Sequence, residues 1–263
     1  MTTVRIIGPG RAGRSFAQAL AAVGVKVSAL LGRDDEIWEA GEGVDLVLLT
    51  VPDRAVPVVA GAIRPVASTV VAHCSGVLGL DSLLPHAKVA SLHPLVSLPD
   101  PHVGARRLRS GCYFATAGDD IACELVAALG GHSLTVAPQA RAAYHAAACV
   151  ASNHLVALMG QVQRVAATAG VDLGAFLPLA RGALEDVALM GPAAALTGPA
   201  ARGDMATIES HRQALEPSEL AGYEAGVALA QRLCGPGSPG DAVEETGPGA
   251  KGEALALAGS WSS

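Results

Sequence analysis

Residues 4–16, "VRIIGPGRAGRSF", decide how the rest of the chain is read. An apolar run from Val4 to Ile7 meets three glycines, Gly8, Gly10 and Gly13, and a stretch with Phe16, Leu20 and Val23 on one helical face continues to Gly24. Strand, glycine turn and amphipathic helix in that order open a dinucleotide-binding βαβ unit. Gly8 serves the tight turn, Gly10 lets backbone approach a pyrophosphate, and Gly13 lets helix press on strand; Pro9, Arg11 and Ala12 complete the loop under the phosphates. Glycine-rich βα turns also occur without a nucleotide, so the flanking strand and helix carry the reading.

Outward from this unit, β-branched runs alternate with helical periodicity: after Val4–Gly8 come Lys26–Leu31, Asp45–Val51, Thr69–Cys74, Val89–Leu92, Cys112–Ala117 and Ser133–Val136. That alternation predicts an α/β Rossmann domain with a doubly wound parallel sheet over residues 1–138. In "VPDRAVP", Asp53 is placed to cap the next helix and Pro57 to sit in its first turns. Beyond Pro138 the strand signals stop, and residues 139–234 are expected to be all-helical, with breaks at Gly170, at "GPAAALTGPAARGD" and at "EPSE". Asp204 is the expected N-cap of a helix running to Leu215, and Thr197 and Gly198 stand in the connector before it. Residues 235–263, rich in Gly, Pro and Ser, are expected to be a disordered tail.

Composition narrows the function classes. A net charge of -6 with scattered arginines offers no basic stripe for nucleic acid. The five cysteines are widely spaced in apolar runs, which suits reduced core residues in the cytoplasm and neither a disulfide framework nor a metal site. No secretion signal is expected, and "AAACVASNHLVALM" is interrupted by Ser152, Asn153 and His154 too early to cross a membrane.

The ends of the strands supply the candidate site. In "LLGRDD", Gly32 stands where an acidic residue would bind the ribose of NAD, and Arg33 follows where a guanidinium could grip a 2′-phosphate. NADP is the expected cofactor, with Asp34 or Asp35 binding NAD as the alternative. Val51 and Pro52 are placed to wall the nicotinamide side of the crevice, and Ser75 and Gly76 of "HCSG" to border the reacting face, although both stretches also suit ordinary turns. His93, at the end of its strand in "SLHPL", could reach the same cleft or simply serve a turn.

Several of these motifs together, "GPGRAG", "VPD", "HCSG", "SLHPLVSL", "YHAAACVASNHLVAL" and "GPAAALTGPAARGD", resemble bacterial Rossmann-like oxidoreductases whose helical C-terminal half is a domain of unknown function. These are relatives of pyrroline-5-carboxylate reductase, ketopantoate reductase and 6-phosphogluconate dehydrogenase, and the resemblance spans residues 3–233. It implies an NADP-binding domain, a helical dimerisation domain like the C-terminal part of 6-phosphogluconate dehydrogenase, and a homodimer acting on a small molecule. The helical lysine that several such enzymes use as acid is missing, since the only lysines are Lys26, Lys88 and Lys251. What the helix after Pro138 offers instead is Tyr144, His145, Cys149, Ser152 and Asn153. His145, Cys149 and Ser152 share one stripe, with Asn153 a quarter turn aside. His145 is the candidate proton donor and Asn153 the candidate substrate holder, beside a substrate-binding role for Tyr144; mutual satisfaction of these groups at a helix crossing is the alternative. The expected reaction is hydride transfer between NADPH and a carbonyl or imine of a small metabolite. A ketopantoate reductase-like 2-oxo acid reductase and a non-catalytic NADP-binding sensor or scaffold are the alternatives.

Overall fold

The computed structural model describes residues 2–235. The tail read as disordered therefore lies, but for Gly235, outside the described residues. By compactness the chain divides into residues 1–154 and a second unit from Leu155 onward.

The first unit runs β1 (Thr3–Ile7), α1 (Arg11–Ala22), β2 (Lys26–Leu31), β3 (Leu46–Leu49), α2 (Val56–Gly61), β4 (Val70–His73), β5 (Val89–Pro94), α3 (Pro101–Leu108), β6 (Tyr113–Gly118), α4 (Ile121–Ala128), β7 (His132–Thr135) and α5 (Arg141–Cys149). A π-helical turn, Val150–His154, ends it. All seven expected strands form one sheet in the order β2-β1-β3-β4-β5-β6-β7. The chain leaves β1 to one side for β2 and returns on the other for β3, so the topological switch lies between β1 and β3.

Strands β3 and β4, "LVLL" and "VVAH", are buried at every position, as strands covered on both faces must be. One face, with Val4, Ile6, Leu46, Leu48 and Leu92, packs under Phe16 and Leu20 of α1, Leu108 of α3 and Leu125 of α4. The other, with Ile7, Val47, Leu49 and Val71, packs under Val56 and Ala60 of α2 and under Leu83.

Two corrections to the expected sheet follow. Strand β6 runs antiparallel to β5. The connection through α3 leaves and re-enters at the same edge, where the Leu95 amide donates to Tyr113 O at 2.8 Å, so the next strand has to run backwards. Asp53 makes no side-chain cap; it lies in a 3-10 turn, Asp53–Ala55, ahead of α2, while Pro57 takes the expected place in that helix's first turn.

The second unit contains α6 (Leu155–Thr168), α7 (Leu177–Ala195), α8 (Pro199–Arg202), α9 (Met205–Ala214) and α10 (Pro217–Leu233). Helix α7 is broken at Gly191, at the expected "GPAAAL" interruption. Asp204 caps α9, accepting from the Thr207 amide at 3.0 Å and from its hydroxyl at 2.7 Å. Bidentate pairing of Arg164 to Glu219 ties α6 to α10, with Nε at 2.5 Å and Nη2 at 3.0 Å. No helix among the described residues is long and apolar enough to cross a membrane.

Candidate active site

Because β1, β3, β4 and β5 are adjacent and parallel, the segments after all four emerge at one edge of the sheet. That edge holds the glycine loop and, farther along, a cluster of imidazoles.

Gly8 leaves β1 with φ +113°, and a Cβ there would sit 2.9 Å from the Thr50 backbone, so only glycine fits. Thr50 locks this turn: its amide donates to Ile7 O at 2.8 Å and its hydroxyl to Gly8 O at 2.8 Å. Gly13 packs directly on Gly8 O and the Thr50 hydroxyl, which seats α1 against β1 and β3. Gly10 is the N-cap of α1 and has open space beside it, and no side chain caps the helix. The unmet amides of a 12-residue helix therefore face an open loop, a suitable seat for a pyrophosphate. Pro9 and Arg11 are exposed and Ala12 half-buried around it.

At the end of β2 the Gly32 amide donates to Asp35 Oδ2 at 2.6 Å, which turns that carboxylate inward on its own loop. Arg33 and Asp34 are exposed, and Arg33 makes no hydrogen bond or ion pair among the described residues. Pro9 lies beside Gly32, so this loop borders the phosphate loop. Val51 is half-buried and Pro52 exposed after β3.

The imidazole cluster is built on β4, β5 and α5. Buried His73 accepts the Ser75 amide at Nδ1 (3.1 Å), which leaves its Nε2–H to donate to Gly79 O (3.3 Å). Ser75 is itself buried, with Oγ accepting the amides of Val77 and Leu78 at 3.2 and 3.1 Å, so its hydroxyl holds the turn. Gly76 is the floor: a Cβ there would lie 2.9 Å from His93 Nε2 and 2.5 Å from His145 Cδ2. His93 Nδ1 is 2.8 Å from the Tyr144 hydroxyl, and its ring stands edge-on to Tyr144 and His145 with centroids 5.5 and 5.8 Å apart. Burial, helped by the nearby His145 and Arg141, pushes the His93 pKa down to about 4. His93 is thus neutral near pH 7. Burial also lowers the pKa of His73 and raises those of the Tyr144 hydroxyl and the Cys74 thiol.

The structure thus brings Ser75, Gly76, His93, Tyr144 and His145 together. His145, Cys149 and Ser152 are half-buried on one side, whereas Asn153 is exposed in the π turn, two turns past His145. Three contributors escaped sequence reasoning: His73, which stands in the quoted "HCSG" but drew no role, Arg141 and Asp53. Arg141, buried at the start of α5, donates from Nη2 to Ser75 O at 2.9 Å. Its position three and four residues before Tyr144 and His145, on the same helical face, was the available signal. Asp53, treated as a cap, lies near enough for its charge to oppose in small part the lowering of the His73 and His93 pKa values.

Residues 114–230 match a domain of unknown function, DUF2520, which takes in β6, α4, β7 and the helices after them up to most of α10. No curated protein matches the chain. Among solved structures it is similar to a Thermotoga maritima protein, with 25% identity and TM-score 0.66 over 88% of this chain and 98% of that one. It is similar also to a Bacteroides fragilis protein provisionally described as an NADP oxidoreductase, at 16% identity and TM-score 0.70 over 88% and 98% of the two chains. A third, Plasmodium falciparum pyrroline carboxylate reductase with NADP bound, shares 10% identity and TM-score 0.58 over 89% and 98%. The chain thus shares with these structures a Rossmann-type sheet followed by a helical part, and residues 114–230 match a domain of unknown function, as the motifs suggested.

Proposed function

We propose that this protein is a cytoplasmic NADPH-dependent oxidoreductase that reduces a carbonyl or imine of a small metabolite. The observation that carries the reading is the Tyr144–His93–His145 cluster over Gly76, on the same sheet edge as the uncapped start of α1. The neighbours named above, of which one binds NADP, support a nicotinamide dinucleotide, and the five free cysteines suit a reducing compartment.

The glycine loop and the first amides of α1 hold the pyrophosphate, Arg33 the 2′-phosphate, and Val51 and Pro52 the nicotinamide side. When bound, the cofactor supplies the hydride. The chain's own task is to orient the acceptor and to deliver a proton to its oxygen or nitrogen. The low pKa of His93 leaves its imidazole neutral near pH 7, so the donor role is not assigned to it. His145 is the donor, and His93, braced by Tyr144, positions it above Gly76. Asn153 has no part in this assignment.

The test is single-turnover NADPH oxidation against a panel of carbonyls and imines. His145→Ala should slow the chemical step by about a hundredfold with NADPH affinity intact. A parent rate combined with a lower melting temperature would make His145 a packing residue only. Tight NADPH binding with no turnover across the panel would assign the chain to the non-catalytic dinucleotide binders.

A further inference from the structure

The donor inventory of the cluster is out of balance at one residue. Arg141 is 5% exposed, its Nε is buried with no acceptor, and no carboxylate pairs with it among the described residues. Its recorded bond is from Nη2 to the Ser75 carbonyl, a neutral acceptor. Elsewhere in the chain arginines use the Nε and Nη2 edge to grip a carboxylate, as in Arg212 with Glu224 at 2.6 and 3.0 Å. A guanidinium held in the protein without such a partner is costly, because its charge has lost water without gaining an opposite charge, and a ligand oxyanion removes that cost.

Space for a ligand adjoins it. A cleft of about 610 Å³ is lined by Arg141 together with Gly79, Asp81, Ala117, Asp119 and Pro138. Its two carboxylates belong to their own turns. Asp119 Oδ1 accepts the Ile121 amide at 3.1 Å at the head of α4, and Asp81 folds against Gly79 in the 3-10 turn Leu80–Leu83. The cleft's arginine is also tied to the reacting face, because Ser75, which accepts from it, immediately precedes the Gly76 floor beneath His93 and His145.

We infer that Arg141 is the receptor for an oxyanion on the substrate, a carboxylate or a phosphate. This rests on the reductase reading above and narrows its substrates to small acids. Neutral carbonyls of the same shape would leave the guanidinium unmet and bind poorly.

The experiment uses the full chain saturated with NADPH, with 2-oxo acids of three to six carbons, their primary amides, and inorganic phosphate as probes. Binding is followed by calorimetry and by the arginine Nε–H resonance that disappears in Arg141→Gln; turnover is followed by NADPH oxidation. At least one acid should bind tenfold or more tightly than its amide, shift that resonance and be displaced by phosphate if the site takes either oxyanion. Arg141→Gln should erase the preference, and Arg141→Lys should restore part of it. Should Arg141→Gln not fold, the acid and amide pairs on the parent protein and the Arg141→Lys variant still decide. Equal binding of acids and amides, or a preference unchanged in the variants, overturns the inference. Arg141-dependent acid binding with no NADPH oxidation overturns the reductase reading instead and leaves the oxyanion site standing.

Discussion

Arg33 and His93 illustrate how a side chain's surroundings decide what it can do. Asp35 is drawn onto the Gly32 amide at 2.6 Å, so one of the two acidic groups that could bind a ribose diol is already engaged, while the guanidinium beside it stays in solvent. Arg33→Ala should therefore weaken NADPH by roughly 1.5–3 kcal/mol, the range for a charged hydrogen bond, and leave NADH unchanged. Fluorescence titration with both cofactors decides this, and equal losses would mean that Arg33 does not read the 2′-phosphate. His93 carries a different consequence, one of stability. Its pKa of about 4 in the fold lies below the ordinary 6.5, so between those values the unfolded chain binds more protons. Stability is then lost as pH falls from 6.5 toward 4, at up to about 1.4 kcal/mol per pH unit. Buried His73 shifts the same way and adds to the slope; Asp53 opposes both shifts. In urea titrations, His93→Gln should lose less stability than the parent over this range. Parallel curves would show that His93 titrates normally.

Helices and strands were legible to different depths. Helix α3 opens with "DPHV", and Asp100 accepts the amides of His102 and Val103 at 2.9 and 3.2 Å, with Pro101 in the first turn. The helix is only 8 residues long, so its start matters: Asp100→Ala should cost about 1 kcal/mol and Asp100→Asn much less. Denaturant midpoints at constant slope measure both, and equal losses for the two would point to charge and away from capping. The central strands could be read because buried, β-branched runs bounded by turn residues leave a pattern that little else produces, and the edge strands β2 and β7 followed from the alternation with helices. The reversal of β6 could not, since alternation of strand and helix records that a connection exists but not which edge it returns to. The glycine loop was legible for the same local reason as the strands. The imidazole cluster was legible only in part: His93 and His145 stood as separate candidates and His73 as none, because the three come from distant segments. Arg141 was missed because burial of a charge is decided by the β4 loop that folds over it, far away in sequence. The π turn at Val150–His154 likewise has no glycine or proline to announce it.

The second unit poses a problem that its described residues do not solve. Among its described residues, Ala166, Ile208 and Glu219 are buried, and of these only Ile208 is a large apolar side chain. Meanwhile Val156, Leu179 and Leu189 are 72%, 71% and 76% exposed, and Leu158, Leu184, Met190 and Leu229 are also exposed. Burying one such side chain is worth about 1.5–3 kcal/mol, so a set of this size in water is a large standing cost. Monomers seldom leave so many large apolar side chains in water, and a second copy presenting the same helices about a two-fold axis is the simplest cover. We therefore propose a homodimer formed through α6, α7 and α10. Sedimentation should give twice the chain mass at micromolar concentration, and melting temperature should rise with protein concentration because the partner binds only the folded state. Leu189→Glu should place a charge in that interface and release monomers that melt lower, whereas Val58→Glu, at an exposed position on α2 in the first unit, should change neither mass nor melting. A parent protein that sediments as a monomer at micromolar concentration and above would end the proposal, and the exposed leucines would then need another partner.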